Sequence, residues 1–234
     1  MTYSHNLQHP EIRRLFGSGR KLTYKKGEII QHANEPPQGV YFIVSGYVKE
    51  YTLSKNGTEH FNIMYESGEI FSFLWVYLDA RQNVYREAHT NTTVLLLGAD
   101  ELRSAMQTNN ALWREISELL MLQMYFLKLR VENLAFSNAY DKVAYCMLYF
   151  AGRYGDERKN GWYVRQPFRH QHIADSLSMT RETASRMIAR MERQGLISQD
   201  TKGHFTIRNA SALADTIGVE NVLGMWPDLT RSRK

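Results

Sequence analysis

Residues 111–137 contain neither glycine nor proline, and this unbroken run constrains the architecture more than anything else in the chain. Trp113, Ile116, Leu120, Met124, Leu127, Val131 and Leu134 recur at three- and four-residue spacing, which places them on one helical face. A second apolar stripe, Leu112, Leu119, Leu122, Phe126 and Leu129, lies on another face of the same helix. The spacing therefore predicts a single helix of roughly 25 residues with two faces to bury. One stripe can cover an adjoining domain. The other, starting at Trp113, can form a dimerisation seam with a second copy of the helix, like a short coiled coil. A helix enclosed in one large monomeric core is the alternative.

The pattern changes on either side of this helix. Before it, apolar and β-branched stretches fall at residues 40–44, 47–53, 61–64 and 93–97. Ser45-Gly46, Asn56-Gly57 and Ser67-Gly68 separate them at spacings of about ten residues. Asn56-Gly57 supplies the positive φ angles that a two-residue hairpin requires. Many short strands so spaced predict a sandwich or barrel. After the helix, Asn138 is placed to cap a new one, with Asp141 favouring its positive end. Val143, Ala144, Met147, Leu148 and Ala151 carry that helix to Gly152 or Gly155. Residues 155–161 then read as a loop and 162–164 as a short strand. The expected class is α+β, with a β-domain over 1–109, the long helix over 110–138 and a second domain over 139–234.

The formal charge of +5 is unevenly spread. Residues 1–138 hold fourteen Lys/Arg and fourteen Asp/Glu, whereas residues 139–234 hold fifteen and ten. A basic half beside a neutral half suits phosphate neutralisation, and a merely solvated basic surface is the bland alternative. The single cysteine, Cys146, can close no internal disulfide and supply no multi-cysteine metal cluster. It falls on the apolar pattern of its helix and reads as a buried structural thiol. The longest apolar run, 119–129, is broken by Gln123 and Lys128 and falls short of the roughly 20 residues that a membrane span needs. Residues 1–10 lack the apolar core of a signal peptide. No membrane partner is expected, and the cytoplasm is the expected location. No Ser/His/Asp or Cys/His constellation, zinc-spaced cluster or phosphate-cradling glycine loop is visible, so no enzyme is expected.

The most informative segment runs from Arg169 to Gln194. Ile173, Ala174 and Leu177 give a short helix one buried face, and small Ala174 lets a second helix cross closely. Thr180 is a good N-cap for that second helix, with Thr183 at its third position. Ala184, Met187, Ile188 and Met191 form its inner face. Arg181, Glu182, Ser185, Arg186, Arg190 and Arg193 lie opposite. Two short helices with the second polar and basic outward make a helix-turn-helix. Arginine can donate two hydrogen bonds to a guanine edge, and glutamate can accept from the cytosine amino group. Residues 195–198, Lys202-Gly203 and residues 205–207 read as a two-stranded wing.

The run Arg181-Glu-Thr-Ala-Ser-Arg186, followed by Leu196-Ile197-Ser198, resembles the recognition helix and wing of the Crp/Fnr superfamily of bacterial transcription regulators. Gly39-Val-Tyr-Phe-Ile-Val-Ser-Gly46, Asn56-Gly57 and Ser67-Gly68-Glu69 follow the family's glycine pattern. The resemblance spans residues 15 to 213 or so. It implies an N-terminal β-roll of jelly-roll type as effector sensor, a dimerisation helix and a C-terminal winged helix-turn-helix on double-stranded DNA. It further implies a homodimer on a palindromic site, with RNA polymerase as a further partner. Arg181, Glu182 and Arg186 match the base-reading triad of the catabolite activator branch. Glu182, Ser185 and Arg186 match that of the oxygen-sensing Fnr branch. A half-site with a TGA or GTGA core follows. Arg169, His170, Gln171 and Lys202 stand where family members touch phosphate, so with Thr180 and Thr183 they complete the expected DNA-binding set.

The sensor half departs from the family. Its cyclic-nucleotide pocket needs a Gly-Glu pair and an Arg-Ser/Thr pair. This chain has Ser72-Phe73 in the first place and Gln82-Asn83 in the second, with Arg81 one residue away. Cyclic AMP is therefore not the expected effector. An iron–sulfur cluster needs several cysteine ligands, and Cys146 stands alone. His32, His60 and His89 leave haem open, without a recognisable ligand spacing. Phe61, Tyr65, Phe71, Phe73, Trp75, Tyr77 and Tyr85 crowd 25 residues. Of these, Phe61, Phe71, Phe73, Trp75 and Tyr85 are expected to line a pocket for a small apolar or peptide-like effector. A core that fills itself is the equal alternative. Residues 136–138 are the expected hinge between sensor and reader.

Overall fold

The computed structural model describes residues 9–135 and 138–217. Two compact units divide the chain, and the boundary falls inside the long helix, between Gln123 and Met124.

The first unit opens with α1 (Pro10–Gly17), whose Pro10 is at home in the first turn of a helix. Two four-stranded antiparallel sheets follow. One has the order β1 (Arg20–Tyr24), β8 (Thr92–Leu97), β3 (Val40–Ser45), β6 (Ile70–Phe71). The other has β2 (Ile29–Gln31), β7 (Tyr85–Ala88), β4 (Val48–Leu53), β5 (Glu59–Tyr65). Strand β3 shows how they are held. Its first four residues are all buried, yet alternate residues serve different cores. Tyr41 and Ile43 point between the sheets, among Val48, Phe71, Val94 and Leu96. Val40 and Phe42 point the other way, into a core built with the helices. Gly57 takes φ 76 in the β4–β5 hairpin, but Asn56 is not left-handed and the connection runs over residues 54–58, longer than the two-residue turn that the Asn-Gly signal predicts. At Gly46 (φ 90) a Cβ would lie 2.6 Å from the Asn91 carbonyl oxygen, so no other residue fits.

Three helices close this unit: α2 (Phe73–Leu78), α3 (Ala99–Thr108) and the first half of α4 (Asn110–Leu134). Of the aromatic residues expected to line a pocket, Phe73 and Trp75 lie in α2, whereas Phe61, Phe71 and Tyr85 lie on β5, β6 and β7. Ser72, in the left-handed region at φ 65, ends the strand and turns Phe73 and Val76 into the helical core. Leu112, Ile116 and Leu119 of α4 join them there, with Trp113 and Leu120 packed alongside. This corrects the expected dimerisation seam at its start. Ile116 is 1% exposed within a single chain, and burying a side chain of that size contributes roughly 1.5–3 kcal/mol. Trp113, edge-on to Tyr77 at 5.8 Å, and Leu120 are likewise occupied. Further along, Met124 (66%), Leu127 (59%), Val131 (59%) and Leu134 remain exposed.

The second unit begins in the rest of α4. Its Phe126 meets Tyr149 of α5 (Ala139–Tyr154) edge to face at 5.8 Å. The Asn138 side chain accepts from the Asp141 amide at 2.8 Å, the cap expected of it. Phe136 and Ser137 of the expected hinge lie outside the described residues. Cys146 is buried in α5, and that burial pushes its thiol up to about 12. Residues 155–161, expected as a loop, instead pair as β9 (Gly155–Arg158) with β10 (Gly161–Val164). A polar, weakly β-prone segment is recruited by the ladder it completes. Next come α6 (His170–Ser176), α7 (Arg181–Arg193), β11 (Ile197–Gln199), β12 (Phe205–Ile207) and α8 (Ala210–Asp215). The sheet order is β11-β12-β10-β9. Phe168 stacks on Phe150 with ring centres 3.9 Å apart and anchors the approach to α6.

Candidate nucleic-acid interface

Helix α6 buries Ile173 and Ala174, α7 buries Ala184, Ile188 and Met191, and α7 packs on both α6 and α5. The turn between them needs one residue in the left-handed region, and Ser178 takes it at φ 51. Thr180 then starts α7. Its hydroxyl accepts from the Thr183 amide at 3.2 Å and donates to the Thr183 hydroxyl at 3.0 Å. Glu182 in the first turn complements the positive end of the helix. Arg181, Glu182 and Arg186 are exposed on the first two turns, while Ser185 is half-buried beside them. Arg190, expected on the same outward face, is exposed too. Its guanidinium lies over the Tyr140 ring, 4.6 Å from the centre, and so packs back on α5.

Beside α7 opens a cleft of about 570 Å³, lined among others by Arg169, His170, Gln171 and Arg181 with Gln199, Asp200 and Gly203. Four of the expected DNA-binding residues therefore share one concavity. Lys202 sits at the turn of the wing. There the Asp200 carboxylate accepts from the amides of Lys202 and His204, both at 2.9 Å. Burial raises the pKa of Asp200, but the backbone donors of His204, Lys202 and Gly203 outweigh it and hold the carboxyl below its ordinary range. Gln171 is tied to Asp175 at 2.6 Å. His170 departs from its expected role as a phosphate contact. Its Nδ1 meets Ser185 Oγ at 2.8 Å and its Nε2 meets Gln199 Oε1 at 3.1 Å. Both ring nitrogens are used inside the protein. Nothing in the local pattern of the sequence marks Gln199 for this role.

The interior of the β-roll is occupied differently. Phe71 stacks on Tyr41 at 4.8 Å between the sheets, whereas Phe73 belongs to the helical core. Tyr85 stacks on Tyr51 at 5.4 Å, and Phe61 and Trp75 are buried. The five residues expected to line one effector pocket are thus divided between packing layers. Between the sheets lies a charged residue that the sequence reading missed, Arg86. It is 2% exposed and bonds Gln31 Oε1 at 2.6 Å, Gln82 Oε1 at 2.7 Å and Glu50 Oε2 at 2.8 Å. Ser72 donates to the same Gln31 oxygen at 2.6 Å, and Tyr65 donates to Glu50 at 3.2 Å. Burial first, and Glu50 beside it, push the Tyr65 hydroxyl well up. Strict alternation along β7 puts Arg86 on the inward face with Ala88, a signal that could have found it. His32 and His60 are exposed and His89 is half-buried, each on a different stretch of chain. Among the described residues, no three His, Cys, Asp or Glu side chains gather as a metal site.

Comparison with known proteins agrees with this division of parts. Residues 21–109 match the family model of the cyclic nucleotide-binding domain, and residues 141–216 that of the Crp-like helix-turn-helix domain. Electron transport regulator A of Shewanella oneidensis is 25% identical over 188 residues, which cover 80% of this chain and 74% of that protein. The nitrogen fixation regulation protein FixK of Rhizobium meliloti is 27% identical over 183 residues, covering 77% and 80%. A variant of CooA from Carboxydothermus hydrogenoformans shares the fold, with a TM-score of 0.76 at 18% identity over 91% of this chain and 97% of that one. No helix among the described residues is long and apolar enough to cross a membrane.

Proposed function

The chain belongs to the Crp/Fnr superfamily of transcription regulators, and from that membership we propose a homodimer that reads palindromic DNA with TGA-type half-sites. One observation carries this reading: Arg181, Glu182 and Arg186 are exposed together on the first two turns of a capped recognition helix. Those are the turns that reach base edges in such motifs. Arginine and glutamate there pair with guanine and with the cytosine amino group. Arg169 and Lys202 flank them as cations for the phosphate backbone.

Dimerisation is supported by the exposed stripe of Met124, Leu127, Val131 and Leu134 on α4. Covering side chains already half out of water contributes roughly 1 kcal/mol for each. The seam is shorter than its sequence pattern suggests, since its first turns belong to the roll. The effector remains a separate matter. Ser72 and Arg86 already bond to each other and to Gln31, which supports an effector other than a cyclic nucleotide. The regulator acts in the cytoplasm, beside RNA polymerase on the promoter.

A titration tests the proposal directly. A duplex carrying two inverted TGA half-sites should bind two chains, and scrambling one half-site should weaken binding at least roughly tenfold. Independent binding of one chain per half-site would overturn the dimeric reading.

A further inference from the structure

His170 lies where a phosphate contact is expected, yet both of its ring nitrogens meet groups of known hydrogen-bonding sense. Gln199 decides that sense. Its Nε2 donates to the carbonyl oxygens of Phe168 at 3.0 Å and Gly203 at 3.2 Å. Two carbonyls can face only the amino end of the carboxamide, so Oε1 is the end that meets His170. Oε1 can only accept. His170 Nε2, 3.1 Å away, therefore carries the hydrogen. In the neutral ring Nδ1 is then a bare lone pair, and Ser185 Oγ at 2.8 Å must donate to it. The ring is held in this place by its stack on Phe205, 6.3 Å between centres.

The consequence falls on the reading face. Ser185 stands four residues from Arg181 and three from Glu182, so the three share one side of α7. A serine hydroxyl ordinarily reads either a donor or an acceptor on a base. With the ring neutral and its own only proton committed to His170, Ser185 offers the groove lone pairs alone. We propose that His170 is a specificity-determining positioning residue, which restricts Ser185 to an exocyclic amino group, adenine N6 or cytosine N4. Thymine O4 and guanine O6 are acceptors, and this serine has nothing to give them. The chain from Gln199 through His170 to Ser185 thus links the wing to one letter of the half-site. It rests on the DNA-reading assignment above and refines it.

The test is a table of affinities for the selected site and every single-base variant of one half-site, at several salt concentrations. Wild type should favour an amino-bearing base over a carbonyl-bearing one at a single position, by roughly tenfold. His170→Phe keeps a ring to stack on Phe205 but frees the serine proton. It should flatten the preference at that position alone and leave the salt slope unchanged, since no phosphate contact is lost. Ser185→Ala removes only an oxygen, so folding is not at stake. It should lose the same preference, and adding His170→Phe to it should change nothing more there. A phosphate contact would instead weaken every sequence alike and reduce the salt slope by about 1. That result, or an unchanged preference in His170→Phe, overturns the inference while leaving DNA binding intact. A wild-type protein that selects no site overturns the underlying reading and the inference with it.

Discussion

Arg86 in the roll and Arg186 on the recognition helix show what each region is built to do. Arg86 is enclosed, and Gln31, Gln82, Ser72 and Glu50 meet its guanidinium inside the protein. Arg186 is exposed, and among the described residues no hydrogen bond or ion pair is assigned to it. A buried guanidinium without partners would be prohibitively costly, so Arg86 must be satisfied by the fold. An exposed one can wait for a ligand. The roll closes upon itself and the reading head leaves its donors open, so the two regions should respond oppositely to the same kind of substitution.

The largest effect is expected in the roll. Arg86→Met should cost about 3–5 kcal/mol of stability, because Glu50, largely out of water, loses its cation and keeps only Tyr65 as a donor. Adding Glu50→Leu should recover much of that loss. Urea unfolding measures both, and DNA affinity of the folded protein should hardly change. A stable Arg86→Met protein with altered DNA affinity would break the comparison, since Arg86 would then be a signalling contact. Next in size, Arg186→Ala should leave unfolding unchanged and weaken specific binding by roughly 1–3 kcal/mol, read by fluorescence anisotropy. The smallest expected effect sharpens the boundary between structure and reading. Thr180→Ala should remove about 1 kcal/mol of stability through the lost cap, with specific and random DNA weakened alike.

The reading head was legible in the sequence because its signals are local. Thr180 and Thr183 are three residues apart, and the 3/4 spacing of Ala184, Ile188 and Met191 is complete within one helix. Links across the fold left no such trace. The His170–Ser185 contact joins two helices, and Gln199 reaches both from a strand. The roll was harder still. Aromatic density between Phe61 and Tyr85 is equally consistent with a pocket and with a filled core. The choice was made by Ser72, whose left-handed conformation turned Phe73 away from Phe71. Ile116 shows the same limit on α4: periodicity placed it on a face, but only the position of α1 and the sheet decided what that face meets.

The central claim is that the open residues of α7 specify the DNA site. Selection from random duplexes with purified full-length protein tests it most directly. It should recover an inverted repeat with a TGA core in each half, and the same selection with Arg186→Ala should lose that core. Recovery of no common core by the wild-type protein, or the same core without Arg186, would contradict the account.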